Sequence, residues 1–334
     1  MTYSKATVIG TGAMGTVVAQ ILASNGVRVA MLARNSKRVQ QLVTDRENKK
    51  YLKGVRLSPN VVPTDNARAA LRNTELVIAA VPSQFLRKSF EPLRKELPDN
   101  APICSVVKGV EIKTGKLPSE LLREFSESAP IAVLSGPSIA AELAKCLPAT
   151  VVVACENVAV AEVLQEVMST TWFRVYTNDD VLGVELSGAL KNVIAIAAGI
   201  LDGLRAGDNA KAALITRGLV ELARLGLALG GKPETFYGLA GVGDLITTCV
   251  SPHGRNRTAG QRIGQGESIE AIVDSSHGVI EGIPTTQAVL ELARKKKIEL
   301  PITEAVSRVL FENVAPLDAI SELMQRPQRA EGVY

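Results

Sequence analysis

The 334-residue chain is long enough for two domains at the usual allowance of about 150 residues each. With 46% hydrophobic and 22% charged residues, it carries ample apolar surface for packed cores and too little charge for a disordered polymer. A net charge of +4 and an aromatic content of 4% suit a small anionic ligand better than a nucleic-acid backbone or a base-stacking platform. The two histidines, His253 and His277, exclude a multi-histidine zinc site, so no metal is expected and acid/base chemistry falls to lysine or carboxylates. Cys104, Cys146, Cys155 and Cys249 form no C-x-x-C pair and read as buried free thiols of a reducing cytosol. The first residues lack the pattern of a signal peptide, and no unbroken run of about 18 apolar residues occurs. A cytoplasmic protein without stable membrane insertion is therefore expected.

From residue 6 to about 177, short β-branched runs alternate with helical patterns, the signature of a parallel sheet with crossover helices. The predicted strands are Ala6 to Ile9, Val27 to Leu32, Leu76 to Ala80, Ile103 to Val106, Ile131 to Leu134, Thr150 to Ala154 and Phe173 to Tyr176. Helical spacing covers Met14 to Ser24, Ser83 to Glu96, Ile139 to Lys145 and Val158 to Ser169. After Asp179 the strand signal ends, and helices are predicted over Val184 to Leu204, Ala210 to Leu229, Glu281 to Lys297 and Thr303 to Glu312. Gly230-Gly231 with Pro233, and Val314-Ala315-Pro316, read as helix stops. The expected organisation is an α/β domain over residues 1–182, an all-α domain over 183–325 and a polar tail over 326–334.

Gly10-Thr11-Gly12-Ala13-Met14-Gly15 follows the first strand and opens the first helix, the context in which G-x-G-x-x-G signals a dinucleotide site. Gly10 permits the tight turn, Gly12 admits a pyrophosphate close to the backbone, and Gly15 lets helix and strand pack closely. The phosphates would then face free N–H groups at the helix N-terminus. The second strand leads into Arg34, where an NAD-preferring protein carries an acidic residue for the ribose hydroxyls, and Lys37 and Arg38 follow. These cations favour NADP through charge-assisted bonds to a 2′-phosphate, with NAD still usable. Ala80-Val81-Pro82-Ser83, Val107-Lys108-Gly109 and Gly136-Pro137-Ser138 all sit at the C-terminal ends of predicted strands, the ligand-binding edge of such sheets.

In the helical half, Lys191 and Asn192 interrupt an otherwise apolar helix. A buried ammonium is costly unless paired, so this position reads either as functional or as a lysine reaching solvent. A second cation nearby, for which Lys108 is the candidate, would lower the lysine pKa toward the working pH. Gly238 to Gly243 form a glycine-rich turn before Asp244 and Thr248, and Gly254-Arg255-Asn256-Arg257 supplies guanidinium groups suited to a phosphate. Asp244 reads as a site residue or a simple helix N-cap, and the arginine loop as a phosphate grip or a solvated basic turn.

Together the segments GTGAMGT, AAVPSQ, VVKGVE, SGPSIAAE, ELSGALKNVIAIAAG, GLAGVGDLITTC, GRNR and VIEGIPTT resemble the bacterial NAD(P)-dependent glycerol-3-phosphate dehydrogenases, from the first strand to about residue 325. The resemblance implies a doubly wound Rossmann-like sheet followed by an all-α domain of the 6-phosphogluconate dehydrogenase type. It also implies reversible reduction of dihydroxyacetone phosphate to sn-glycerol 3-phosphate, the backbone of phospholipids, with NADP or NAD. On this likeness Lys191 is the proton donor and acceptor, and Lys108 contacts substrate and cofactor. Gly136, Ser138, Asp244, Thr248, Gly254, Arg255 and Asn256 belong to the substrate site; as a mechanistic expectation beside the likeness, Asn192 and Asp244 would orient Lys191. Gly10, Gly12, Ala13, Met14, Gly15, Arg34, Ala140, Arg255, Val279 and Glu281 belong to the cofactor site. Two departures stand out: Gly254 replaces a usual serine, and Met14 replaces a usual aromatic residue.

Two rival readings share parts of this pattern. Another lysine-dependent β-hydroxyacid or ketopantoate-type dehydrogenase would keep the domain plan but gives no reason for the Gly254 to Arg257 loop. A non-catalytic dinucleotide sensor would keep the glycine motif but has no need of both Lys108 and Lys191. The long apolar helices of the second half suggest a homodimer.

Overall fold

A computed structural model describes residues 3–276, 278–328 and 330–331; His277 and tail positions 329 and 332–334 lie outside the described residues. The described residues divide into two compact units, one made of 3–107 and 118–181, the other of 108–117 and those from 182 onward. The ten-residue excursion Lys108–Leu117 therefore belongs with the helical unit, although it was expected within the first domain.

The first unit contains ten strands among the described residues: β1 (Lys5–Ile9), β2 (Arg28–Leu32), β3 (Glu47–Asn48), β4 (Leu52–Arg56), β5 (Val61–Thr64), β6 (Leu76–Ala79), β7 (Ile103–Ser105), β8 (Ile131–Ser135), β9 (Ala149–Cys155) and β10 (Phe173–Asn178). Its helices are α1 (Ala13–Ser24), α2 (Ser36–Asp45), α3 (Ala67–Leu71), α4 (Leu86–Phe90), α5 (Pro118–Phe125), α6 (Ala140–Leu143) and α7 (Val158–Met168). Eight strands form one sheet in the order β10-β9-β8-β7-β6-β1-β2-β5, and β3 with β4 makes a separate antiparallel hairpin. The strands are near-continuous apolar runs because both faces are covered. Leu76 and Ile78 pack into the cluster with α1 and α7, whereas Val77 and Ala79 pack into the cluster with α4 and α5. The chain leaves β1 in one direction to β2 and returns to its other side at β6, so the topological switch lies between β1 and β6.

The sheet is mixed, where the sequence suggested a parallel one: β8 and β9 pair antiparallel. Their link carries only the one-turn helix α6, so the chain folds back instead of crossing the sheet. The predicted helix over Ser83 to Glu96 breaks into α4 flanked by 3₁₀ turns at Ser83–Phe85 and Glu91–Leu93, since Pro92 cannot continue an α-helix. β5 and the hairpin went unpredicted. Pro63 restricts β5 to the sheet edge, and β4 (LKGVR) shows no clear alternation.

The second unit is helical: α8 (Val181–Gly203), α9 (Asp208–Ala228), α10 (Pro233–Phe236), α11 (Asp244–Val250), α12 (Arg255–Gly264), α13 (Ile269–Ser275), α14 (Gly282–Lys296), α15 (Pro301–Phe311) and α16 (Pro316–Met324). Helix α8 is long and apolar enough to cross a membrane by length and composition, yet 94% of its apolar window is buried within the protein and Lys191 interrupts it. It is the axial core helix, which explains why it is hydrophobic all round. Glu221 on α9 accepts hydrogen bonds from the Ile302 N–H and from the Thr303 N–H and hydroxyl, capping the start of α15. Burial pushes its carboxyl up to about 7, and those N–H donors oppose the rise.

Helices α8 and α12 meet through reciprocal glycines. A Cβ on Gly199 or Gly203 would overlap the carbonyl oxygens of Arg257 or Gln261, and one on Gly260 or Gly264 would overlap those of Ile196 or Ile200. The two backbones thus pack in direct contact. Gly260→Ala should force them apart, costing about 1–3 kcal/mol of overpacking strain and lowering turnover with it. Urea denaturation and steady-state kinetics check this, and a variant matching wild type in both would contradict the packing argument.

Three cysteines, Cys104, Cys155 and Cys249, are buried free thiols, and burial pushes Cys104 and Cys249 up to about 12. Cys146, expected to be buried, is exposed on a left-handed residue just past α6.

Candidate active site

In the first unit, Gly10 adopts a φ of +118°, and a Cβ there would run into the Ala80 carbonyl at the end of β6. A Cβ on Gly15 would meet the Gly10 carbonyl, so both positions are closed to side chains by packing. Gly12 differs: no atom lies within 4 Å of where its Cβ would be. The open space is therefore on the outer side of the turn, at the β1/β6 switch point and the N-terminus of α1, which has no side-chain cap. Glycines that close the inside and open the outside of the turn fit a dinucleotide pyrophosphate there. Ala13 and Met14 begin α1, and both side chains pack half-buried against the core. The Met14 thioether thus packs against the core, at the position read above as a departure from the usual aromatic residue.

Arg34 is exposed at the end of β2, beside the start of α2 where Asn35 accepts from the Arg38 N–H at 3.0 Å. Lys37 is likewise exposed. Arg38 is not a free cation: its guanidinium donates to Asn48 Oδ1, lies 3.5 Å from Thr11 Oγ1 and sits 5.4 Å over the Tyr51 ring. Burial lowers its pKa. Of the three basic residues read as 2′-phosphate partners, Arg34 and Lys37 are therefore the exposed ones. Also in this unit, Gly136 takes a φ of +123° above β9, Ser138 donates to the Gly136 carbonyl at 2.9 Å, and Ala140 opens α6.

The second unit brings together most of the other predicted residues. The segment 108–117 presents Lys108, α8 presents Lys191 and Asn192, and α11 presents Asp244 and Thr248. Asp244 is 2% exposed and bridges both lysines, with Oδ2 at 2.6 Å from Lys108 Nζ and Oδ1 at 2.8 Å from Lys191 Nζ. It is the first residue of α11 after a π-helical turn over Leu239–Gly243, not the N-cap, which is Gly243. Gly241 lets that turn close, because a Cβ there would overlap the Phe236 carbonyl. Lys191 also donates to Thr248 Oγ1, so two of its three N–H groups are held and the third has no partner among the described residues. Burial is the main cause that lowers the Lys108 ammonium to about 8; Asp244 opposes the fall and Lys191 adds to it.

An amide relay connects the remaining elements. Asn192 Nδ2 donates to the Lys108 carbonyl at 3.1 Å, Asn256 Nδ2 donates to Asn192 Oδ1 at 2.9 Å, and the Gly282 N–H donates to Asn256 Oδ1 at 2.9 Å. Asn192 thus holds the Lys108 main chain and does not reach the lysine ammonium groups, a different role from the expected one. Arg255 Nη1 donates to the Val279 carbonyl at 2.8 Å, tying α12 to the loop that carries Val279 and Glu281. His253, two residues before Arg255, is exposed, and its backbone N–H donates to Ser251 Oγ.

Profiles of the NAD-dependent glycerol-3-phosphate dehydrogenase family match the chain twice, the N-terminal one over residues 5–161 and the C-terminal one over 180–321. A relative from Clostridium botulinum, glycerol-3-phosphate dehydrogenase [NAD(P)+], is 45% identical across 98% of this chain and 99% of its own length. The chain belongs to the glycerol-3-phosphate dehydrogenase family. Another member, from Geobacillus thermodenitrificans, is 47% identical across 97% of this chain and 96% of its own. The crystal structure of the Coxiella burnetii glycerol-3-phosphate dehydrogenase superposes with a TM-score of 0.93 at 37% identity, covering 97% of this chain and 99% of that one.

Gly254 is the N-cap of α12 in this family member. A Cβ there would lie 3.4 Å from the Thr248 carbonyl and 3.6 Å from the Ser251 carbonyl, ordinary contact distances. Gly254→Ser should therefore be accommodated, gain a few tenths of a kcal/mol from capping and lower KM for the phosphorylated substrate. A raised KM with unchanged stability would show that the glycine serves the site better than a serine.

Proposed function

We propose that the protein is an NAD(P)-dependent sn-glycerol-3-phosphate dehydrogenase, reducing dihydroxyacetone phosphate to sn-glycerol 3-phosphate reversibly, for glycerophospholipid synthesis. The observation that carries this reading is the buried Lys108–Asp244–Lys191 bridge, in which the Lys191 ammonium keeps one N–H without a partner among the described residues. The nicotinamide cofactor, when bound, supplies the hydride that adds to C2 of the substrate. Lys191 donates the unheld proton from Nζ to the carbonyl oxygen as negative charge develops on it, which completes the secondary alcohol. Asp244 and Thr248 fix the direction of that proton by holding the other two. Lys108 adds a second positive charge beside the developing alkoxide. Arg255 and Asn256 hold the substrate phosphate, remote binding that positions the reacting carbon, and Gly136, Ser138 and Gly254 add polar backbone and hydroxyl contacts to substrate.

On the cofactor side, the turn Gly10 to Gly15 takes the pyrophosphate and Arg34 the adenosine ribose, with Ala140, Lys108, Arg255, Val279 and Glu281 as further contacts. Exposed Arg34 and Lys37 favour a 2′-phosphate, so NADP is preferred and NAD remains usable. The buried reduced thiols support a cytoplasmic location. A homodimer is the proposed assembly, supported by Leu317 and Met324, which are 65% and 81% exposed on the last helix.

One assay tests the function. NADPH oxidation should depend on dihydroxyacetone phosphate, and the same reaction with NADH should be slower at equal concentration. Oxidation that ignores the substrate would reject the dehydrogenase reading, and oxidation driven by ketopantoate in its place would favour the rival dehydrogenase.

A further inference from the structure

The hairpin β3–β4 has no part in the main sheet, yet it delivers Asn48, which is wholly buried, to the inner side of the glycine-rich turn. Asn48 Nδ2 donates to the Thr11 carbonyl at 3.0 Å and to Thr16 Oγ1 at 2.7 Å, and Asn48 Oδ1 accepts from Arg38. Thr16 Oγ1 passes the contact on by donating to the Gly12 carbonyl at 2.8 Å. The carbonyls of Thr11 and Gly12 are thus both gripped from inside the unit. In a planar trans peptide the N–H points opposite the C=O, so holding these two oxygens aims the Gly12 and Ala13 N–H groups outward. That is the side on which Gly12 leaves open space.

We propose that Asn48 is the positioning residue of the glycine-rich turn, orienting its outward N–H groups toward the cofactor pyrophosphate through the Thr11 and Gly12 carbonyls. This rests on the turn being the dinucleotide site. The residue type follows from the partners: one atom must accept from a guanidinium while the other donates twice, and only a carboxamide does both in this volume. Arg38, stacked over Tyr51, keeps the hairpin seated on the turn. Aspartate at position 48 would still accept from Arg38 but would turn an acceptor toward the Thr11 carbonyl.

The test is Asn48→Asp, measured by NADPH fluorescence titration without substrate, steady-state kinetics and urea denaturation, with near-isosteric Thr16→Val reading the Gly12 arm alone. Asn48→Asp should raise the Kd for NADPH and for NADH alike by about tenfold, with kcat and the KM for dihydroxyacetone phosphate within about twofold of wild type. Thr16→Val should raise both Kd values by about threefold, and it carries the test if Asn48→Asp does not fold. Unchanged cofactor affinity in either folded variant would overturn the proposal, as would a fall in kcat that merely tracks lost stability with both Kd values unchanged. Wild-type protein that binds NADPH but does not oxidise it with dihydroxyacetone phosphate would defeat the dehydrogenase reading and leave the Asn48 result standing. Wild-type protein that binds neither dinucleotide would overturn both.

Discussion

Lys191→Ala is expected to lower kcat for dihydroxyacetone phosphate reduction by about 10³-fold, within the range that positioned acid catalysis contributes. The Lys191 side chain is 8% exposed, so bulk water cannot replace it efficiently as the proton donor. NADPH affinity should change little, because the glycine-rich turn is built entirely from residues of the other unit. Stability should fall less than activity: Asp244 keeps its 2.6 Å partner Lys108, so the substitution does not strand a buried carboxylate. Lys191→Met, which preserves more of the side-chain volume, separates lost packing from lost proton transfer and should be equally inactive. Stopped-flow measurement of NADPH oxidation gives the answer, and turnover within tenfold of wild type in a folded variant would remove Lys191 from the proton step.

Asp244→Asn should be the more destructive change for the fold. It leaves two ammonium groups in a buried site without their shared anion, and breaking one side of such an arrangement typically costs about 3–5 kcal/mol. The pH dependence has a definite sign. The Lys108 pKa is lowered from its ordinary 10.5 to about 8 in the folded protein, so between those values the unfolded chain binds more protons. The Lys108 contribution to stability therefore rises with pH across that window, and the cost of the buried charge is fully present below it. Asp244 holds the Lys108 pKa up, so in Asp244→Asn the same rise should begin at a lower pH. Substrate binding moves the other way: as Lys108 loses its charge near pH 8, kcat/KM for reduction should decline. Urea titrations from pH 6 to about pH 10 test the first point. A variant as stable as wild type at neutral pH, or one with the same pH profile, would show that Asp244 does not neutralise the two lysines.

The alternation of strands and helices up to about residue 177, the change to helices after Asp179, the glycine-rich turn and the two lysines are legible from the order of residues alone. These features are local: β-branched runs, helical periodicity, Gly and Pro punctuation, and a charged residue inside an apolar helix are all readable within one segment. The tertiary structure decided what those residues do to one another. Asp244 lies 136 residues from Lys108 and 53 from Lys191 along the chain, so its role as their common anion has no local signature; an N-cap was an equally good reading of the same glycine-rich turn. Arg38 reads as a free phosphate-binding cation in the sequence, but a buried asparagine from an unpredicted hairpin claims it. Asn192 adjoins Lys191 and was expected to orient it, yet the pitch of α8 turns its amide to the Lys108 carbonyl instead. The assignment of Lys108–Leu117 to the helical unit and the antiparallel β9 are likewise set by which surfaces the chain can bury together, a property of three-dimensional packing that no window of sequence contains.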